Sequence, residues 1–433
     1  MPFPLPNLCK PLRSLLPLPS SLFPAFLRPL RVLCVLPSAL LFLPSPMPSP
    51  KPAPRDFTNK KIRAGVVGVG RMGRHHARVY AQLPGTTLVG VVDTNPERAE
   101  ALAEQFNCKA FHSVQQLIDA GIDVASVAVP TTYHVESTVP LLRAGVACLV
   151  EKPLAGDVEE ALTIKRAADE SGSILMVGHI ERFNPIMRAL RREQSESAKH
   201  SAGSNGSAAK LSPETNHNFA IVPRFIEVSR VSPMTFRSVD TSVVMDMMIH
   251  DLDVVIMLMG GREPDEVQAS GVAVITEHED ICNARLTWRL PGGGACVANI
   301  TCSRLALKTE RVTRITGENA YVKIDYGAKT GTMIRRLANE QQMLDVRNAL
   351  REGADLSNMK WHELVKIEEL QVDEGEPIVE EIKAFLEAFQ ENRHPEIDAR
   401  AGLANVRTAE RIIEAARKER GGKEVDVMHV GQR

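Results

Sequence analysis

The sequence predicts an α/β fold in two parts: a doubly wound parallel sheet, then an α/β domain with a large, mostly antiparallel open sheet. Three observations predict it. From Lys60 to about Ile180, short apolar runs alternate with helical patterns, the rhythm of βαβ units. Farther on the period changes: Cys282, Ala284, Leu286, Trp288 and Leu290 alternate with Asn283, Arg285, Thr287 and Arg289. A period of two suits a sheet with one apolar and one polar face. Residues 377–390 and 401–419 then read as amphipathic closing helices.

In the first part, strands are expected at 62–67, 87–92, 124–129, 148–151 and 174–177. Helices are expected at 74–83, 96–106, 114–120, 135–144 and 158–171. Such a sheet binds ligands at the carboxyl ends of its strands, so Asp93, Thr131 and Lys152 should line one crevice. In the second part, strands read at 224–230, 282–290, 295–305 and 312–324. The domains on this reading are 60–182 and 183–420, with 421–433 as a tail. The polar, low-complexity stretch 195–218 cannot bury a core and reads as a disordered surface insertion. Residues 1–59 are rich in proline and hold no acidic residue before Asp56. Their apolar stretch 30–43 is broken by Pro37 and falls short of the roughly 18–20 residues of a membrane span. They read as a disordered leader or a start placed too far upstream, with Met47 as the alternative start.

Composition narrows the function classes. A chain of 433 residues has room for more than one domain and ample cores. A net charge of −1 without a basic stripe points away from nucleic acid. Seven cysteines, an odd count with no Cys-x-x-Cys pair, suit reduced thiols in a cytoplasmic protein. Neither a metal site nor a membrane partner is expected.

Gly68-Val-Gly70-Arg71-Met72-Gly73 joins the first strand to the first helix, and Asp93 ends the second strand twenty residues after Gly73. In a dinucleotide site, Gly68 would permit the turn, Gly70 would admit the pyrophosphate and Gly73 would pack the helix on the strand. The helix N-terminus offers free N–H groups to phosphate. Asp93 would bond the ribose hydroxyls and repel a 2′-phosphate, favouring NAD over NADP. FAD and S-adenosylmethionine sites share the opening turn.

Two groups could do chemistry. Lys152, in Glu151-Lys152-Pro153, leaves an apolar strand on the crevice side, where burial would lower its proton affinity; a strand-end pair with Glu151 is the alternative. Residues 242–259 are apolar nearly all round, as in a buried helix. Inside it Asp246, His250 and Asp253 follow i, i+4, i+7 spacing and should share a stripe, with Asp246 orienting His250. Asp251 should point elsewhere and cap or pair locally. A structural polar seam is the alternative; a metal has too few ligands here.

Taken in order, Gly68–His76, Val129–His134 (Val-Pro-Thr-x-x-His), Glu151–Pro153 and Asp246–His250 resemble the glucose–fructose oxidoreductase / inositol dehydrogenase family, also called Gfo/Idh/MocA, over residues 60–417. The resemblance implies an N-terminal Rossmann domain and a C-terminal domain whose open sheet makes oligomer contacts, here a homodimer or homotetramer. It implies Lys152 and His250 as the catalytic pair with Asp246 in support, and a cis Lys152–Pro153 peptide. Thr131, His134 and Glu151 would lie near the nicotinamide ribose. Residues 177–185, 230–233 and 236–240 are similar to sugar-nucleotide 3-dehydrogenases acting on UDP-N-acetylglucosamine. On that likeness Arg182, Asn184, Arg230 and Arg237 would meet the diphosphate or sugar, or else brace the domain junction. The expected activity is NAD-dependent oxidation of a secondary hydroxyl of a sugar or sugar nucleotide. Inositol or free-sugar oxidation, an NAD-retaining glycosidase and a non-catalytic NAD sensor are the rivals.

Overall fold

A computed structural model describes Arg55 and residues 60–193, 221–236, 239–355 and 359–419. The insertion at 195–218, the tail at 421–433, Arg237 and the leader other than Arg55 lie outside the described residues.

Strands β1 (Ile62–Val67), β2 (Thr86–Val92), β3 (Lys109–Phe111), β4 (Val124–Val127), β5 (Ala147–Glu151) and β6 (Leu175–Gly178) form a parallel sheet in the order β3-β2-β1-β4-β5-β6. This is the doubly wound arrangement, with its switch point between β1 and β4. Strands β4, β5 and β6 are buried at every residue, because helices cover both faces of the sheet. Those helices are α1 (Arg71–Gln82), α2 (Pro96–Gln105), α3 (Val114–Asp119), α4 (His134–Arg143) and α5 (Val158–Ser171). Two differences from the sequence reading are informative. Helix α1 starts three residues earlier, straight from the glycine turn, and the short, partly exposed β3 carries too few apolar residues to announce itself.

The second sheet has the order β14-β13-β12-β11-β7-β10-β9-β8. Its strands are β7 (Pro223–Val231), β8 (Glu266–Val272), β9 (Ile281–Arg289), β10 (Ala295–Ser303), β11 (Glu310–Gly317), β12 (Ala320–Asp325), β13 (Thr330–Arg336) and β14 (Val365–Glu369). Only β7 and β10 pair in parallel. The expected strand 312–324 is instead a hairpin: β11 and β12 are joined through Glu318 and Asn319, and the inward positions switch from odd to even across that turn. Strands β8, β13 and β14 were missed, because their exposed positions dilute the alternation.

Helix α6 (Ile249–Leu258) packs on the inner face of this sheet, preceded by a π-helical turn at Val244–Met248. Then come α7 (Glu340–Arg351), α8 (Trp361–Leu364), α9 (Pro377–Glu391) and α10 (Ala399–Glu419). Helix α10 returns to the first domain. A Cβ at Gly402 would lie 2.7 Å from Val177 and 3.1 Å from Leu154, so only glycine allows this approach. Arg55, assigned to the leader by the sequence, docks on the fold: its guanidinium lies 4.3 Å from the Phe389 ring centroid and its N–H donates to Gln390 O at 2.7 Å. Among the described residues no helix is long and apolar enough to cross a membrane.

Candidate active site

The glycine turn has a dinucleotide-binding shape. Gly68 has φ +84°, and a Cβ there would lie 2.7 Å from Ala128 O. A Cβ on Gly73 would lie 1.8 Å from Gly68 O, so α1 can close on the turn only with glycine. Gly70 differs: it is exposed and a Cβ would meet nothing within 4 Å, leaving open space where backbone must approach a ligand. Among the described residues no side chain caps α1, which leaves its first N–H groups to meet phosphate. Arg71 is exposed beside them and Met72 is half-buried against the core. Val69 N–H and Asn95 N–H each donate to one oxygen of Asp93, at 2.8 and 2.9 Å. The carboxylate is thereby aimed across the turn with acceptor capacity left on each oxygen. These residues fit NAD. Thr131 is half-buried in the turn Thr131–Tyr133 after β4, and Lys152 follows β5, on the same edge of the sheet. His134, in the same loop, is buried with its ring nitrogens 3.1 Å from Val129 O and Leu154 O; burial lowers its proton affinity, and the neutral ring donates to one of the two.

Lys152 is the centre of the crevice. Its Nζ donates to Asp246 O at 2.8 Å and stands 3.7 Å from Asp246 Oδ1; the Lys152–Pro153 peptide is cis. Burial lowers its proton affinity, opposed by Asp246 and Glu151 and assisted by Arg230 and Arg71. His250 is half-buried, with Nδ1 inaccessible and without a hydrogen-bond partner among the described residues. Burial, and then the positive charge of Lys152 and Arg230, hold it well below the usual imidazole range, so it is neutral. The expected Asp246–His250 bond is not formed. The π-turn widens the helix at Val244–Met248, which takes Asp246 off the His250 stripe and toward Lys152.

The arginines are placed differently from the expectation. Arg182 Nε and Nη2 each donate to Asp253 at 2.6 Å. Arg230 donates to both oxygens of Asp251, at 2.5 and 3.1 Å, and to Glu181 at 3.0 Å. All of these groups are buried, so Arg182 and Arg230 brace the domain junction rather than meet a diphosphate. Asp251 pairs across the fold, not locally, and Asp253 belongs to the brace rather than to the His250 stripe. Asn184 donates to Glu181 at 3.2 Å and accepts from Ile186 N–H at 3.3 Å, a local cap. Arg237 lies outside the described residues.

Four groups escaped the sequence reading. On the buried stripe of α1, His76 joins Glu151 Oε1 at 3.0 Å and Ser126 Oγ at 2.9 Å, and Ser126 also joins Tyr80. Burial raises the Glu151 carboxyl, but His76 and Lys152 outweigh it and hold the group below its usual value. The His76 position, three residues after Gly73, was the available signal. His179, after β6, faces the Asn405 amide at 3.2 Å. The same Asn405 nitrogen donates to Ile249 O, so His179 Nε2 is the acceptor and its proton sits on Nδ1. Glu381 on α9 is fully buried, and neither oxygen has a hydrogen-bond partner among the described residues. Arg311 on β11 acts on His250 from the second sheet. No spacing rule links these last three to the crevice.

The model of the oxidoreductase family with an NAD-binding Rossmann fold (Gfo/Idh/MocA) matches residues 62–179, and that of its C-terminal alpha/beta domain matches 236–427. A UDP-N-acetylglucosamine 3-dehydrogenase of Acidithiobacillus ferrooxidans is 37% identical over 265 residues, covering 61% of this chain and 74% of the relative. Its crystal structure superposes with a TM-score of 0.66 at 31% identity, covering 83% of this chain and 98% of that one. An inositol 2-dehydrogenase of Rhizobium meliloti is 27% identical over 216 residues, 49% of this chain and 59% of the relative. A levoglucosan dehydrogenase crystallised with NADH and levoglucosan shares the fold, with a TM-score of 0.64, 18% identity, and coverage of 83% and 98% of the two chains. With the glycine turn, the sheet order and these matches in agreement, the chain belongs to the Gfo/Idh/MocA family and is an NAD-dependent oxidoreductase acting on CH–OH groups.

Proposed function

We propose that the chain oxidises a secondary hydroxyl of a sugar nucleotide, the 3-hydroxyl of UDP-N-acetylglucosamine, to the ketone. The observation that carries the chemistry is Lys152: a half-buried amine with lowered proton affinity, held by the Asp246 carbonyl, in a site that also holds a neutral imidazole. Bound NAD would supply the hydride acceptor. Gly68, Gly70, Arg71, Met72 and Gly73 would hold its phosphates, Asp93 its adenosine ribose, and Thr131 and Glu151 its nicotinamide end. Lys152 in its neutral form takes the hydroxyl proton as the carbon releases hydride. His250 bonds the same oxygen, and Asp246 keeps the amine in place. The balance is one hydride transferred and one proton retained on Lys152, then lost to solvent.

The substrate reading is supported by the 37% identity to the UDP-N-acetylglucosamine 3-dehydrogenase and by the likeness across 177–185 and 230–240. Incubation with NAD and UDP-N-acetylglucosamine should yield NADH, followed by absorbance, and a sugar nucleotide lighter by two hydrogens in the mass spectrum. Activity confined to inositols or free hexoses would reject the sugar-nucleotide substrate and leave the dehydrogenase chemistry standing.

A further inference from the structure

A row of polar side chains is buried between α1 and the first sheet, and the chemistry above leaves most of it unused. Tyr80 and His76 stand one turn apart on the buried side of α1, Ser126 lies on β4 and Glu151 ends β5. All four are buried. The Tyr80 hydroxyl is 2.9 Å from Ser126 Oγ, and Ser126 Oγ is 2.9 Å from His76 Nδ1. His76 Nε2 is 3.0 Å from Glu151 Oε1.

The direction of these bonds is set from the far end. Burial raises the Tyr80 phenol above its ordinary value, so it keeps its proton, and Ser126 is its acceptor among the described residues. A buried hydroxyl without an acceptor is costly, so Tyr80 donates to Ser126. The Ser126 proton then goes to His76 Nδ1, which must accept it. His76 is therefore the uncharged Nε2–H tautomer and donates to Glu151. Burial raises the Glu151 carboxyl, but His76 and Lys152 outweigh it, so Glu151 is an anion that a neutral imidazole holds without cancelling. The groups around it do not cancel it either. Glu381 keeps its proton, and burial leaves His134 and His179 neutral. Asp253 is taken up by Arg182. Lys152 is the cation that faces Glu151, and the oxidation needs that amine neutral.

The His76–Glu151 bond also joins the two elements between which a dinucleotide has to stretch. Helix α1 offers its N-terminus to the phosphates, and Lys152, next to Glu151, marks where hydride leaves the substrate. The nicotinamide end is thereby brought to Glu151. That ring is positively charged in oxidised NAD and neutral in NADH, so a fixed negative charge tells the two apart. We propose that Glu151, held by the donor chain Tyr80–Ser126–His76, is a fixed negative charge that biases the site toward oxidised NAD and lets NADH go. His76 is a positioning residue that acts through Glu151. The inference rests on the reading of Lys152 above and deepens it.

The test titrates oxidised NAD and, separately, NADH into the full chain by calorimetry, for wild type, Glu151→Gln, His76→Leu and His76→Gln. Glu151→Gln keeps the shape and removes the charge. It should raise the ratio of the NAD to the NADH dissociation constant by about 10- to 100-fold, the effect of a unit charge several ångströms away at an effective dielectric of about 20. His76→Leu should raise the ratio in the same direction, because a buried carboxylate that loses its donor takes up a proton. His76→Gln, whose amide can still donate, should restore most of the wild-type ratio. A ratio unchanged in Glu151→Gln or in His76→Leu overturns the proposal, since loss of shape alone weakens both forms alike. Turnover of Lys152→Met tests the Lys152 reading separately. Near-normal turnover there, with the expected shift in the ratio, rejects Lys152 as the base and keeps the bias. Lost turnover there, with an unchanged ratio in Glu151→Gln, keeps the base and rejects the bias.

Discussion

Two sets of buried charge lie along the helical segment 244–258, and they are treated in opposite ways. On one side Asp253 meets Arg182, and Asp251 meets Arg230 with Glu181 alongside, in short bonds that use both oxygens of each aspartate. On the other, Lys152 has a carbonyl at 2.8 Å and a carboxylate at 3.7 Å, and His250 Nδ1 has no hydrogen-bond partner among the described residues. Both sides are costly to bury. The first offsets that cost by pairing, whereas the second leaves it in the form of shifted proton affinities, lowered at Lys152 and well lowered at His250. Saturated burial therefore sets the paired arginines and aspartates apart from the unsaturated Lys152 and His250, the groups proposed to carry the chemistry.

The comparison breaks most directly at Lys152. Lys152→Met should lower kcat by about 10²- to 10⁴-fold, the usual loss on removing a general acid or base, while NAD affinity measured by fluorescence titration changes little. In the wild type, kcat/KM should fall as pH drops and Lys152 takes up its proton. Because burial lowers its proton affinity, the midpoint of that fall should lie below the ordinary lysine value. Near-normal kcat in the variant would place Lys152 with the braces.

The next test sets two aspartates of the same segment against each other. Removing the carboxylate in Asp251→Ala leaves the Arg230 guanidinium buried with Glu181 alone, and should cost about 3–5 kcal/mol of stability by urea denaturation. Asp246 is half-buried and its carboxylate stands 3.7 Å from Lys152. Asp246→Ala should cost about 1 kcal/mol or less. Equal losses would mean that the two sides are neutralised alike.

The sequence shows these two sides unequally, for a physical reason. The glycine turn, Asp93, Glu151-Lys152-Pro153 and the strand rhythm are local: each residue's role depends on neighbours within a few positions. Asp246, Asp251, Asp253 and His250 were visible as titratable groups in an apolar segment, but their partners were not. Arg182 and Arg230 arrive from 71 and 21 residues away, and no periodicity encodes that meeting. The π-turn adds to the difficulty, since ideal helical spacing puts Asp246 with His250 whereas the observed turn puts it with Lys152. Likewise the 312–324 reading runs through the two-residue turn at Glu318 and Asn319, across which the inward positions change from odd (Thr313, Ile315) to even (Val322, Ile324).

Glu381 sharpens the comparison, because it is buried and unsaturated yet its charge answers to neighbours rather than to a crevice. Neither oxygen has a partner among the described residues, and Glu151 and Asp253 are the charges that act on it. Burial first, and then those two carboxylates, raise its pKa well above the ordinary value of 4.5. The folded protein thus keeps a proton that the unfolded chain releases once pH passes that value. Glu381 imposes no ionisation penalty on folding in acid. Above the ordinary carboxylate range it lowers stability by about 1.4 kcal/mol for each pH unit until the folded group itself ionises. Glu381→Gln keeps the shape and has no proton to lose. Its melting temperature should match wild type near pH 4 and exceed it increasingly as pH rises, until the folded carboxyl itself ionises, by about 2–4 °C for each kcal/mol removed. A difference that stays constant across that range would show that Glu381 carries no proton linkage and that its cost is packing alone.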